Sequence, residues 1–229
     1  MKILFMGRKQ VSANLLRFLT KQDHIEIVGV LTDSHLQGSP TTAAAQELGL
    51  PLYTFDTALE AMREGRLKYD LGLSVLYWRK LRDEFLSIPT LGTINFHPAL
   101  LPEYKGTGGY NLAIMDELDQ WGNTAHYVDA SIDTGEIIEV DRFPIDAETE
   151  TAQSLERKTM QALEPFAQRI IARAIESKTK LPTTPNIGGR YVSRDEMEAM
   201  KQILDGDNIE KKIRAFWFPP YDGAYVEIN

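Results

Sequence analysis

The stretch from Ile94 to Gly135 constrains this chain more than any other, and it begins with an apolar run that stops abruptly: INFHPALLPEYKG. Leu91 to Phe96 reads as a buried strand. Pro98 has no N–H to give to a sheet ladder, so the strand is expected to end at His97. Residues i and i+2 of a strand leave the same face, so Asn95 and His97 project together while Phe96 turns into packing. An amide donor and an imidazole then reach the carboxyl edge of the sheet, where open α/β sheets gather their ligands. An isolated N-x-H is more often plain strand-end packing, and its weight comes from what surrounds it.

Upstream, short apolar runs alternate with helical spacers. Ile3 to Met6 reads as a first strand, with an amphipathic helix marked by Leu15, Leu16 and Leu19, then a strand over Ile25 to Leu31. A helix over Thr42 to Leu48, a short strand near Leu52 and a fourth strand over Asp70 to Tyr77 follow. Such alternation predicts an α/β fold with a doubly wound, mostly parallel sheet. The first turn, GRKQVSAN, lacks the G-x-G-x-x-G of a dinucleotide site. Its Arg8, Lys9, Ser12 and Asn14 could meet a phosphate at the helix N-terminus, or simply cap and solvate that helix.

Downstream of the Asn-His pair come Tyr104, Lys105, Gly106 and Thr107, a Gly-rich loop, a helix over Tyr110 to Leu118 and a strand over Thr124 to Val128. The turn DASIDTG then holds Asp129 and Asp133 before a strand over Glu136 to Phe143. Glu150 to Ile175 is a long amphipathic helix with Leu155, Met160, Leu163, Phe166 and Ile170 inward. Lys178 to Gly189, with Pro182, Pro185 and Gly188, reads as a linker. Beyond it lie a strand at Arg190 to Val192, helices around Asp195 to Leu204 and Ile209 to Phe216, and the aromatic tail WFPPYDGAYVEI. A terminal strand would account for Tyr225 and Val226, whereas Trp217, Phe218 and Tyr221 ask for a flat partner. The expected division is 1–178 for the main unit and 179–229 for linker and a small helical and strand appendage.

Composition removes several function classes. A chain of 229 residues, 43% of them apolar, is enough for one sizeable α/β unit plus an appendage. The net charge of -8 opposes a polyanionic nucleic acid. With no cysteine, thiolate metal sites and cysteine nucleophiles are impossible, and histidines at 24, 35, 97 and 126 lack metal-ligand spacing, so no metal is expected. No apolar run approaches the ~20 residues of a membrane helix, and MKILFMG is followed at once by Arg8 and Lys9, so a cytoplasmic chain without a membrane partner is expected. No G-x-S-x-G elbow accompanies the His and Asp, which argues against serine hydrolysis.

The order N-x-H, LLP, D-x-G resembles the folate-dependent formyltransferases, with a catalytic segment like that of the methionyl-tRNA enzymes; the match is strongest from Asp70 to Ile138. The resemblance implies a formyltransferase-type Rossmann-like core. It implies Asn95, His97 and Asp133 as the catalytic set, with N10-formyltetrahydrofolate as co-substrate. The loops Trp78, Arg79, Lys80, Leu81 and Asp129, Ala130, Ser131, Ile132, Asp133 would hold the folate. PEYKG, TAHYVD, IDTG and the aromatic tail most resemble sugar N-formyltransferases acting on nucleotide-linked amino deoxy sugars, dTDP being the expected nucleotide and glycan or O-antigen assembly the expected setting. In that reading Tyr104, Lys105, Gly106, Thr107, Trp217, Phe218 and Tyr221 contact the acceptor. The tRNA enzymes carry a C-terminal barrel larger than the remainder here. Glycinamide ribonucleotide is the alternative acceptor, a catalytically idle folate or nucleotide module the alternative class, and homodimerisation the alternative use of the tail.

Overall fold

Residues 1–227 are described by the computed structural model, and Ile228 and Asn229, at the end of the expected appendage, lie outside the described residues. The first half of the chain runs β1 (Lys2–Gly7), α1 (Lys9–Leu19), β2 (Glu26–Leu31), α2 (Pro40–Glu47), β3 (Leu52–Tyr53), α3 (Phe55–Arg63), β4 (Leu71–Val75), α4 (Asp83–Ser87) and β5 (Thr93–His97). The second half runs β6 (Tyr104–Gly106), α5 (Gly109–Met115), β7 (Gln120–Tyr127), β8 (Ile137–Pro144), α6 (Ala152–Ser177), β9 (Arg190–Val192), α7 (Arg194–Ala199) and α8 (Ile209–Phe216).

Seven strands form one sheet in the order β3-β2-β1-β4-β5-β7-β8. The first five pair in parallel, and β7 and β8 add antiparallel. Because β4 has a parallel neighbour on each side and helices over both faces, all five of its residues are buried and its sequence, LGLSV, is mostly apolar without an exposed face. Along β1 the strand pleat sends Ile3 and Phe5 to one face and Leu4 and Met6 to the other. The first face meets α1 and α6 through Leu16, Leu163, Phe166 and Ile170; the second meets α3 and α4 through Phe55, Leu59 and Phe85. Each such fully buried side chain contributes about 1.5–3 kcal/mol of transfer free energy. No helix among the described residues is long and apolar enough to cross a membrane.

The sequence departs from this architecture in instructive places. α3 goes unmarked in the sequence reading although Thr54 and Thr57 form its capping box and Phe55, Ala58, Leu59 and Met62 its buried stripe. Tyr104 to Gly106 is a short strand: β6 pairs in parallel with β9, each residue with the one 86 positions further along the chain. A two-stranded parallel ladder of three residues has no local periodicity to betray it. The helix expected to reach Leu204 stops at Ala199, where the Ile203 N–H is given to the Tyr225 carbonyl instead. Among the described residues that contact, the Tyr225 N–H given to the Lys201 carbonyl (3.0 Å) and the isolated bridge Gln202↔Tyr225 stand in place of the expected terminal strand, and Tyr225 and Val226 are exposed. Phe216, the last residue of α8, is a core residue: with Ala215 it closes a third cluster with Trp121, Ile114 and Leu155.

Candidate active site

β1 sits between β2 and β4, so the chain winds one way from β1 and the other way from β4, and the carboxyl ends of these two strands part at Arg8 and Leu76. Such a switch point leaves a crevice. Here a cavity of about 640 Å³ is lined by Arg8, Leu76, Tyr77, Asn95, His97, Gly106 and Asp133 among others. Two further hollows open on the same residues. One, of about 130 Å³, lies between Trp78-Arg79-Lys80-Leu81 and the loop from Val128 to Asp133, touching Asn95 and His126. The other, of about 410 Å³, runs past His97, Gly106 and Thr107 to Arg194, Phe218 and Tyr221. Together they make one cleft with a narrow and a wide arm.

At its centre, the strand register explains the meeting of side chains. β5 and β7 pair antiparallel with Asn95 opposite His126, which puts the two side chains on one face. His126 Nδ1–H donates to the Tyr127 carbonyl (2.8 Å), so its Nε2 is the acceptor for Asn95 Nδ2–H (3.0 Å). That bond leaves the second amide N–H of Asn95 for a ligand oxygen. His97 Nε2 faces the Tyr104 carbonyl at 2.9 Å. A carbonyl only accepts, so Nε2 carries the hydrogen and Nδ1 is left with its lone pair. That lone pair lies 3.5 Å from Asp133 Oδ2.

The electrostatics follow. Burial pushes the His97 imidazole below its ordinary value, with the Asp133 carboxylate pulling the other way, so the ring is neutral at neutral pH. Burial alone would raise the Asp133 carboxyl, but His97, His126 and the Gly106 N–H (2.9 Å) outweigh it and hold it down at about 2. A lone pair facing an ionised carboxylate in a dry site is stabilised by gaining a proton. The geometry therefore suits His97 Nδ1 for taking a proton and Asp133 for stabilising the resulting imidazolium, while the orienting hydrogen bond comes from Tyr104. Asp133 itself has φ +56°, and Gly135 is required beside it because a Cβ there would lie 1.8 Å from the Tyr127 carbonyl oxygen.

The other residues picked out in the sequence divide. Trp78, Arg79, Lys80, Leu81, Asp129, Ser131, Ile132 and Asp133 line the narrow arm; Ala130 faces a separate hollow with Arg82 and Glu84. Gly106, Thr107, Phe218 and Tyr221 line the wide arm. Tyr104 and Lys105 line none of the three: the Tyr104 ring packs on Trp121 and its hydroxyl donates to Asp116, while buried Lys105 donates to the Gly188 carbonyl at 2.7 Å. The Trp217 ring also lines none of them and is half exposed. Arg194 and Asn186 went unmarked in the sequence, and only folding brings them to the cleft or its edge. Arg8 and Arg194 line both larger hollows, and neither is among the arginines that form ion pairs in the described residues. Among the described residues no group of three or more His, Asp or Glu is placed to hold a metal.

An amide donor, a neutral imidazole and an ionised carboxylate meeting at the switch point of a doubly wound sheet are the parts of a site for transferring a carbonyl group with acid–base help. The chain belongs to the formyl transferase family, which matches residues 1–171. It is 29% identical to a methionyl-tRNA formyltransferase of Lysinibacillus sphaericus over 98% of this chain and 74% of that protein, and 30% identical to one of Chlamydia caviae over 100% and 70%. In fold it is similar to a 4-N formyltransferase from Francisella tularensis (TM-score 0.80, 20% identity, 98% of this chain and 91% of that one). It is likewise similar to the N-formyltransferase of Helicobacter canadensis, solved with folinic acid and dTDP-3-aminofucose (TM-score 0.78, 24% identity, 100% and 84%).

Proposed function

We propose that this chain transfers a formyl group from N10-formyltetrahydrofolate to the amine of a nucleotide-linked amino deoxy sugar, dTDP being the expected nucleotide. The observation that carries the reading is the single cleft with Asn95, His97 and Asp133 at the junction of two unlike arms. The narrow arm, walled by Trp78 and two loops with backbone edges, fits a flat heteroaromatic ring. The wide arm offers Arg8 and Arg194 for phosphates and Phe218 and Tyr221 for a base. The bound folate supplies the activated formyl group.

The chain's own residues do the rest. Asn95 donates its free N–H to the formyl oxygen as negative charge gathers there. The sugar amine attacks the formyl carbon, His97 Nδ1 takes the proton its nitrogen sheds, and Asp133 holds the imidazolium until that proton passes to N10 as the C–N10 bond breaks and tetrahydrofolate leaves. We propose residues 1–178 as the catalytic unit and 179–229 as the appendage that completes the acceptor arm. The net charge of -8 opposes tRNA as the acceptor despite the kinship in sequence. The test offers N10-formyltetrahydrofolate with dTDP-linked amino sugars, glycinamide ribonucleotide or methionyl-tRNA and follows tetrahydrofolate release. Turnover confined to the amino sugars is expected; preferential turnover of either other acceptor would overturn the assignment.

A further inference from the structure

The segment between the two proposed units is no loose tether. Thr184 exchanges both backbone hydrogen bonds with Ile137 at the start of β8 (2.8 and 2.9 Å). Gly188 accepts from Lys105, and the Arg190 N–H is given to the Glu103 carbonyl (2.9 Å) before β9 pairs with β6. Residues 184 to 192 thus fasten at once the loop that carries Asp133 and the strand whose Gly106 N–H binds the Asp133 carboxylate.

Within this strap the Asn186 side chain reaches the Asp133 turn directly. Its Nδ2 donates to the Asp133 carbonyl (3.0 Å) and to the Gly135 carbonyl (2.9 Å). Both donors of one amide are spent on the two carbonyls that bracket Thr134, while its Oδ1 is buried without a protein partner. Asp133 has φ +56°, a left-handed conformation that a non-glycine residue holds only when its surroundings fix it. Resting on the formyl-transfer reading above, we infer that Asn186 is a positioning residue for the reaction: by clamping the 133–135 backbone it keeps the Asp133 carboxylate in register with His97 Nδ1 and the Gly106 N–H. It touches no reacting atom and acts through Asp133.

The test compares Asn186→Ala, Asn186→Asp, which keeps the shape but loses both donors, and Asn186→Ser, which keeps one donor. A misplacement of about an ångström costs on the order of 10- to 100-fold in rate. We expect kcat to fall by about that much in the first two and less in the third, with both Michaelis constants changed by less than about threefold. In an Asp133→Ala background the same changes are expected to cost nothing further, because the group they position is gone.

A second readout needs no turnover. The charged and titratable groups facing His97 are Asp133 and His126, with Arg8, Asp33, His35, Tyr77, Tyr191 and Arg194 around the cavity. If the carboxylate drifts, the imidazolium loses its partner, so the His97 titration followed by NMR moves to lower pH in Asn186→Ala. An unmoved His97 titration, or full additivity with Asp133→Ala, would overturn the inference. Absence of formyl transfer by the wild-type protein would instead count against the functional reading, and the NMR result would still decide the role of Asn186.

Discussion

The two arms of the cleft are built differently. The walls of the narrow arm are the loops that leave β4 and β7, strands of one sheet, so their spacing is set by the same ladder that sets Asn95 and His126. The wide arm is assembled from the start of α1, the Gly-rich entry to α5, the start of α7 and the chain after α8. One arm is fixed by loops of the sheet, and the other is shared between the entries to α1 and α5 and the chain after β9. On the proposed reading, this separates a constant chemistry and donor from an acceptor that can change with the terminal segment.

The largest effects belong to the junction. Asn95→Ala, His97→Ala and Asp133→Ala are each expected to lower kcat by about a hundred- to ten-thousandfold, since each removes a donor, a base or its counter-charge. Far-ultraviolet circular dichroism should be unchanged, because none of the three belongs to the apolar clusters. Near-wild-type turnover in His97→Ala would break the scheme, and with it the idea that both arms serve one reaction.

A smaller effect separates the arms. If Phe218 or Tyr221 stacks on the acceptor's base, substitution by Ala costs about 1–3 kcal/mol in acceptor binding, or about 5- to 150-fold in its Michaelis constant. The value for folate should not move. Trp78→Ala should do the reverse, weakening a non-reactive folate analogue while leaving the acceptor alone. A crossed result, with tail variants losing folate affinity, would show that the arms are assigned the wrong way round.

The acid side of the rate profile gives a shift rather than a loss. On the proposed reading His97 acts as a base, and burial lowers its folded value, so kcat/KM should hold below the ordinary histidine value of 6.5 and fall only as pH drops through the depressed one. The same sign applies to stability: a histidine disfavoured as a cation contributes fully above the unfolded value and loses its contribution on acidification. In Asp133→Asn the group that pulls the His97 value upward is removed, and the acid limb should move to still lower pH. Movement toward higher pH would mean that Asp133 does not stabilise the imidazolium.

How much of this could be read in advance follows the same division. Asn95, His97 and the end of β5 were legible because i, i+2 alternation and Pro98 are local, and the parallel core because its buried strands are uninterrupted apolar runs. The Tyr104 carbonyl that orients His97, the ladder between β6 and β9 and the clamp from Asn186 were not, since each joins segments far apart in sequence through backbone groups that every residue possesses. Lys105 illustrates the cost: the family resemblance implied a contact with the acceptor, whereas the folded chain buries it against Gly188. Arg194 was equally silent, an ordinary arginine until α7 starts at the cleft.

The smallest expected effect concerns Trp217, which the sequence groups with Phe218 and Tyr221 as one aromatic cluster. α8 ends at Phe216, and the Phe216 ring turns into the core with Trp121 and Ile114. The next residue therefore leaves on the opposite side: the Trp217 N–H bonds back to the Arg214 carbonyl (3.2 Å), its own carbonyl accepts from the Gln153 N–H (3.2 Å), and its ring is 51% exposed outside the cleft. Phe218 and Tyr221 swing back, their ring centroids 5.9 Å apart, to wall the wide arm. Trp217→Ala keeps both backbone hydrogen bonds and removes an exposed ring, so stability should change by no more than about 0.5 kcal/mol. The acceptor's Michaelis constant should stay within about twofold of wild type, while Tyr221→Ala raises it clearly. If Trp217→Ala instead matched Tyr221→Ala, the chain after α8 would have to repack when the acceptor enters, and the wide arm would be shaped by its ligand rather than by the fold.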